Sequence, residues 1–565
     1  VKLSALLQKL LLATLLISYS SFAQEGQAIR KNDYRNPLDL PVSLSGNYGE
    51  LRATHFHAGI DLRVGGVVGA RVHSAYDGYV SRISVSPTGY GNAVYIEHPN
   101  GRTTLYGHLH DFSPELAKWV REEQYKRESF AVNLYPLKEM FPVKRGTFIG
   151  RAGNSGSSGG PHLHYEIRES SSQIPLNPVI EGGIKVIDGM PPVIHRVNIY
   201  SISSHSTLPQ RSLIKSITDN FQNTVEVSDT FYIAVHATDK KEGTNARLAV
   251  SNYSYFLNDS LIFSFTPNRI PFDQGRYINS VVEYGEKVRL GISMIKSWQE
   301  PGGGLKNNIK AVNEGLFILR DNGTHIVKVA LTDEHGNITK REIKVRRGLA
   351  IQRDTLSQDS SQVMPWFLPN YYHNNDMRIM LPPGSLYSSI IFNSSVYEKD
   401  GRRIWSIHSP YTPIHNTGRV SLKAEIPEEL REKAVIVTVG EKGEMRYIGG
   451  AYNQGWIESP LLGFGNYSVT FDTIPPVINP QFREGENLAS RSHLRITIHD
   501  NLSGIARYSA YIDDKWILAS YDPKNRRLEV ELKPDKIERG KRHIVVIEVE
   551  DNRGNINMLK RSFIW

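Results

Sequence analysis

The sequence predicts an all-β, multidomain protein, and three observations carry that expectation. Short alternating runs fill the chain from about residue 190 onward: "FYIAVHATD", "THIVKVALTD", "AVIVTVG", "YSVTFD", "LRITIHD" and "HIVVIEVED", each bounded by Gly, Asn, Asp or Pro. A period of two with turn residues between runs is the pattern of half-buried strands in sandwich domains. Apolar spacing of the helical kind is scarce. The third observation is an internal repeat. "DGMPPVI" at 188–194 matches "DTIPPVI" at 472–478, and "HIVKVALTDEHGN" at 325–337 matches "HIVVIEVEDNRGN" at 543–555. The paired prolines mark an opening strand, and Asp-x-x-Gly-Asn marks the hairpin turn before the last one.

At 565 residues the chain is too long for one core, so three or four domains are expected. Hydrophobic residues at 39% and aromatics at 10% are those of folded protein. The formal net charge of +9 is scattered and forms no long basic run, which argues against a nucleic-acid partner and leaves a mild preference for anionic surfaces such as a cell wall. With no cysteine in the chain, a metal site has to be built from His, Asp and Glu. Residues 1–23 read as a secretory signal peptide: lysines, an apolar stretch from Leu10 to Ile17, then Ser21 and Ala23 ahead of Gln24. Export to the periplasm, cell envelope or extracellular space is therefore expected. No later segment approaches the ~18 apolar residues that span a bilayer, so no transmembrane segment is expected in the mature chain.

The repeat sets the boundaries. A first domain is expected at 33–182, the first repeat copy at 186–347, a linker at 348–372, a β-rich unit at 373–471 and the second copy at 472–565. Pro191 to Asp333 spans 142 positions against 76 from Pro475 to Asp551, so the first copy carries a large insertion, expected near 262–318 where "PGGG" breaks the pattern. "RDTLSQDSSQ" at 353–362 reads as linker, and "IPEELREKA" as a short helix or turn. The two copies resemble bacterial immunoglobulin-like domains.

The concentrated chemistry lies between 50 and 170. "HFHAGIDLR" supplies His55, His57 and Asp61, "TTLYGHLHDF" supplies Tyr106, His108 and His110, and "SSGGPHLHYEIRE" supplies His162 and His164. Residues two apart on a strand share a face, so His162 and His164 look into one space with Glu166 in phase, while Leu163 and Tyr165 turn away. The same alternation places Tyr106, His108 and His110 together. One histidine pair is more often structural. Three clusters within a Gly-rich β segment point instead to a metal such as zinc, which takes imidazole nitrogen and carboxylate oxygen.

Residues from about 45 to 170 resemble the lysostaphin-type (LytM-like) zinc metallopeptidases that cut peptidoglycan cross-links. The family's H-x-x-x-D appears as His57 to Asp61, its middle segment as "GYGNAVYIEHPNGRTTLYGHL" at 89–109, and its H-x-H signature within "GNSGSSGGPHLHYEIR". The resemblance implies a small antiparallel β-sheet groove, zinc held by His57, Asp61 and His164, and catalytic roles for His108 and His162. No HExxH helix supplies a glutamate base, so proton handling and oxyanion stabilisation fall to those two histidines, and residue type does not divide the roles between them. Tyr106, Arg52 and Asn47 are further candidates for contacting substrate or supporting the metal, although Tyr106 also reads as an ordinary strand tyrosine. "GSSGG" fits G-x-S-x-G only formally, because Pro161 and a strand follow where the nucleophile elbow needs a helix. One segment departs from the family pattern: "PELAKWVREEQYKRE" at 114–128, inside a long connection at 111–142, has helical character and is expected as a flap beside the groove. The function implied is a secreted zinc endopeptidase acting on peptidoglycan stem peptides. The alternative is a wall-binding or hydrolase-regulating protein of the same fold that has no activity of its own.

Overall fold

The structure, a computed structural model, describes residues 34–203, 208–218, 221–348 and 362–565. The signal peptide expected at 1–23 and most of the 348–372 segment lie outside the described residues. The chain is all-β, as its alternating runs predict.

The N-terminal unit is an antiparallel sheet. Its strands are β1 (Leu44–Gly46), β2 (Ile60–Arg63), β3 (Arg71–His73), β4 (Gly78–Val85), β5 (Asn92–Glu97), β6 (Arg102–Phe112), β7 (Val132–Leu134), β8 (Pro142–Val143), β9 (Phe148–Ala152) and β10 (His162–Glu169). The main path runs β1-β2-β10-β6-β5-β4-β7, so β10 is central and hydrogen-bonded on both edges. Register then decides who meets whom. His164 pairs with Asp61 of β2 on one side and with Gly107 of β6 on the other. One face of β10 puts Leu163, Tyr165 and Ile167, all fully buried, into the core with Ile60, Leu62, Tyr106 and Ile149. Gly59 is needed where the chain crosses β10, because a Cβ there would lie 2.3 Å from the Tyr165 carbonyl oxygen.

Three further sets of sheets follow, each around its own core. Residues 193–347 form two facing sheets, and between the strands ending at Phe265 and starting at Ile309 the chain makes short helices at Phe272–Tyr277, Ile278–Val281 and Tyr284–Leu290. Residues 362–471 build two five-stranded sheets around Trp405, Ile407, Val420 and Ile457. Residues 477–564 build another pair around Ile496, Leu528, Ile547 and Trp565. Among the described residues no helix is long and apolar enough to cross a membrane.

The 114–128 segment is helical: α1 spans Pro114–Arg127, with proline in its first turn and Glu128 closing it in the left-handed conformation. It corrects the expectation of a flap. Leu116 and Val120 are buried in the N-terminal core and Trp119 stacks edge-on against Phe141. At its far end Tyr125 meets Trp516 of the last unit, and Arg121 pairs with Glu531 at 2.8 Å. The helix is a strut between the first and last units. Only the residues after it, 131–133, reach the groove described below.

Candidate active site

The site starts from the His164–Asp61 register and the turn that precedes β2. His57 enters from that turn, and its Nε2 lies 3.0 Å from Asp61 Oδ1 and 3.1 Å from His164 Nδ1. His164 Nδ1 is itself 3.0 Å from Asp61 Oδ1, which closes a triangle of three donor atoms. All three residues are at least nine-tenths buried. The outer ring nitrogens decide what the triangle is for. His57 Nδ1 donates to the Asn47 carbonyl at 2.8 Å, and His164 Nε2 donates to Glu166 Oε1 at 2.7 Å. In the neutral rings those donations leave Nε2 of His57 and Nδ1 of His164 as lone pairs, turned toward each other and toward a carboxylate. Three acceptors at such distances repel unless a cation sits among them. A tetrahedral zinc site with ~2.0–2.1 Å bonds spaces its ligand atoms by about 3.3 Å, so the triangle suits the ion in donor type and in size.

The electrostatics agree. Burial alone would raise the Asp61 pKa, but the histidines His57, His162 and His164 hold it well below the ordinary carboxylate range. Burial opposes charge on His164 too, yet Asp61 and Glu166 lift it to about 9. The site attracts positive charge. Arg52 Nη2 donates to Asp61 Oδ2 at 2.8 Å, holding the carboxylate so that Oδ1 faces the histidines.

His108 and His162 stand beside the triangle with ring centroids 4.8 Å apart. Both are oriented by backbone carbonyls of the loop between β9 and β10. His108 Nδ1 donates to Ser155 O at 2.9 Å, and His162 Nδ1 donates to Gly160 O at 2.8 Å. Those donations leave Nε2 of each ring facing the site, and that of His162 lies 3.4 Å from Asp61 Oδ1. Burial, then the neighbouring His164 and His162, push the His108 pKa down to about 3. His108 also holds a left-handed φ of 59°, sparsely populated for a non-glycine residue. The loop is packed tightly. Gly156 has φ +68°, and a Cβ on it would sit 2.4 Å from Gly91 N. A lysine of the last unit grips the same loop: Lys524 Nζ donates to the carbonyls of Asn154, Gly156 and Ser158, the latter two at 3.2 Å.

The sequence candidates divide as follows. His57, Asp61, His108, His162, His164 and Arg52 converge. Tyr106 does not. It is fully buried on the opposite face, packs on Tyr165 and hydrogen-bonds Ala75 N and Thr104. Strict alternation fails in β6 because the strand shifts register and turns left-handed at His108, so Tyr106 and His108 fall on different faces. His110 is exposed for the same reason. Asn47 does not offer its side chain either: it exchanges two hydrogen bonds with the Ala249 backbone, and only its main-chain oxygen serves the site. Glu166 does serve it, fully buried, accepting from His164, from Tyr90 OH at 2.7 Å and from Arg168 Nε at 2.6 Å. Tyr90 and Arg168 escaped sequence reading, although the period of two from His164 through Glu166 reaches Arg168. Beyond Tyr90 runs an open groove of about 570 Å³ bordered by Arg82, Gly89, Tyr95, Asn133 and Arg168, with Phe272 of the following unit stacked on the Arg168 guanidinium at 4.6 Å.

This sheet, with its His-Asp-His triangle and two flanking histidines, is a LytM-type peptidase domain. Residues 55–125 match peptidase family M23, so the chain carries a domain of that family, followed by all-β units of which residues 361–472 match a Zu5-like domain. The M23 match holds His57, Asp61 and His108; register brings His162 and His164 to them. Over 129 residues the chain is 35% identical to the DD-carboxypeptidase/endopeptidase Mpg of Neisseria meningitidis, covering 23% of either protein. Over 153 residues it is 32% identical to the peptidoglycan DD-endopeptidase ShyC of Vibrio cholerae, covering 26% of this chain and 29% of that one. The alignments thus span about a quarter of the length of these curated relatives. Among solved structures it is similar to the catalytic domain of the M23 protein EnpA from Enterococcus faecalis, at 27% identity, over 27% of this chain and 97% of that chain, with a TM-score of 0.19.

Proposed function

We propose that this chain is an exported zinc-dependent endopeptidase that hydrolyses peptide cross-links of peptidoglycan. The observation that carries the reading is the donor triangle of His57, Asp61 and His164, with both imidazoles locked by their outer hydrogen bonds. The name of the Vibrio cholerae relative, a peptidoglycan DD-endopeptidase, supports the substrate class. His57, Asp61 and His164 would hold the zinc. When bound, zinc supplies a water acidic enough to act near neutrality and polarises the scissile carbonyl.

The rest falls to the chain's own groups. His108 and His162 present their Nε2 atoms to the space beside the triangle, and each accepts or returns a proton there while its Nδ1 stays tied to a carbonyl. Glu166 and Arg52 hold the ligands rather than the substrate. The stem peptide lies along the groove beyond Tyr90, whose rim includes the cation of Arg82, suited to a carboxylate of the substrate. The domain limits read from the repeat, 33–182, 186–347, 373–471 and 472–565, belong to the same proposal.

The test is digestion of purified sacculi by the full chain loaded with zinc, with the soluble products resolved by mass spectrometry. Conversion of cross-linked dimers into monomers is expected. Folded, zinc-loaded protein that binds sacculi and leaves every dimer intact would establish the wall-binding alternative instead.

A further inference from the structure

The two repeat copies share one piece of wiring at the end where the chain enters each sandwich. In the first copy Asn337 donates through Nδ2 to Asp188 O at 3.3 Å and to Asp333 Oδ2 at 2.8 Å. In the second, Asn555 donates through Nδ2 to Asp472 O at 2.9 Å and to Asp551 Oδ2 at 2.7 Å. A third aspartate follows the strand that pairs with each opening strand. Val193 pairs with Thr238, next to Asp239, and Val477 pairs with His499, next to Asp500. Asp188, Asp239 and Asp333 therefore correspond to Asp472, Asp500 and Asp551.

What differs is the charge between them. In the first copy Lys241, almost fully buried, reaches into the group. Its Nζ lies 2.7 Å from Asp188 Oδ2, 3.4 Å from Asp239 Oδ2 and 3.2 Å from Glu334 Oε1. The second copy has Leu502 at the position two past its aspartate, where the first has Lys241. Arg553, the cation nearest in sequence, turns away to the carbonyls of Glu432 and Gly450. Among the described residues none of the three aspartates is ion-paired. Asp472 is 0% exposed; its Oδ2 accepts from Ser503 N, while its Oδ1 has no hydrogen-bond partner, and neither has Asp500 Oδ1. One oxygen from each of Asp472, Asp500 and Asp551 lies within 4.8 Å of the other two.

A buried oxygen without a partner costs free energy, and clustered carboxylates repel unless a cation neutralises them. In the first copy Asp239 Oδ1 and Oδ2 also lack a hydrogen-bond partner and donor atoms of Asp188, Asp333 and His335 also lie within 4.8 Å of one another, but there the Lys241 ammonium supplies the positive charge. We infer that the second copy meets it with a divalent cation, a calcium ion held by Asp472, Asp500 and Asp551. Oxygen-only donors select a hard cation. Ca–O distances of about 2.3–2.6 Å let oxygens up to roughly 5 Å apart share one ion, with water or backbone oxygens completing six to eight ligands. The site lies at a junction, since Asp472 N donates to Lys433 O at 2.9 Å and Lys433 Nζ donates to Arg553 O at 2.8 Å. Calcium therefore fastens the 361–472 unit to the last one.

Calorimetric titration of the full chain with calcium chloride tests this, with thermal unfolding followed in parallel. The wild type should bind one calcium saturably and gain roughly 4 °C or more in the unfolding of its last unit at saturation, with a smaller response to magnesium. Asp500→Asn should weaken calcium at least about tenfold. Leu502→Lys, which copies the first repeat, should abolish calcium binding and keep the fold without it. A wild type with no saturable calcium binding overturns the inference, as does unchanged calcium affinity in both variants. Preference for magnesium over calcium overturns the assignment of the ion.

Discussion

Strand β10 and the strand Arg542–Asp551 of the last unit obey the same period of two and bury different things. Along Arg542–Asp551 one face is buried and largely apolar, through Val545, Ile547 and Val549, while Ile544, Glu548 and Glu550 keep some contact with solvent. Along β10 both faces are buried from Leu163 to Arg168, and the second carries His164, Glu166 and Arg168. Burying a carboxylate and a guanidinium costs several kcal/mol per ion unless each is paired. The pairing here is complete: Glu166 accepts from His164, Tyr90 and Arg168. A sandwich strand buries apolar surface to stabilise a fold, whereas β10 buries a charged ladder whose first rung aims His164 Nδ1 at Asp61 and His57.

The comparison can be broken at its strongest point by removing a ligand. His57→Ala or Asp61→Ala should abolish metal binding and activity together, read by metal analysis beside sacculus digestion, because catalytic zinc sites keep three protein ligands. Next comes the ladder. Glu166→Ala should cost about 3–5 kcal/mol of stability by leaving the buried Arg168 without its carboxylate. It should also weaken metal affinity by roughly 10–100-fold. Glu548→Ala, at a half-exposed position of the other strand, should move stability by no more than about 0.5 kcal/mol in the same denaturant titration. Equal costs for the two would erase the distinction between the strands.

A smaller effect is expected where the last unit meets the first. Lys524→Met removes the ammonium that gathers three carbonyls of the loop orienting His108 and His162. Turnover should fall on the order of tenfold, with metal content unchanged and substantial rescue by Lys524→Arg. Unaltered turnover would make Lys524 a surface contact only. Tyr106→Phe should cost about 1 kcal/mol of stability from its lost hydrogen bonds and leave the rate unchanged.

Much of the site was legible because a strand's period is short and local. His162, His164, Glu166 and Arg168 share a face by arithmetic alone, and three separated histidine clusters fall within one Gly-rich β segment. Alternation does not place Tyr106, because it holds only while the backbone stays extended and β6 breaks it at His108. The Asn47 side chain is taken by a partner, Ala249, that lies 202 positions away, a pairing that no local pattern encodes. The same holds for Lys524 at a separation of 370 from Asn154. Helix α1 was legible as a helix, since Pro114 starts it and its apolar residues recur at helical spacing. Its docking on Trp516 and Glu531 was not, because long-range partners are set by how the units fold back on one another.

The central claim divides two histidines that sit two positions apart on one strand face, His164 as ligand and His162 as proton handler. Zinc stoichiometry measured beside turnover of sacculi for His164→Ala and His162→Ala tests it most directly. His164→Ala should lose both zinc and activity. His162→Ala should keep zinc and lose on the order of 10²- to 10⁴-fold in rate. Zinc lost from His162→Ala and kept by His164→Ala would contradict the assignment, and full activity in both would contradict the peptidase itself.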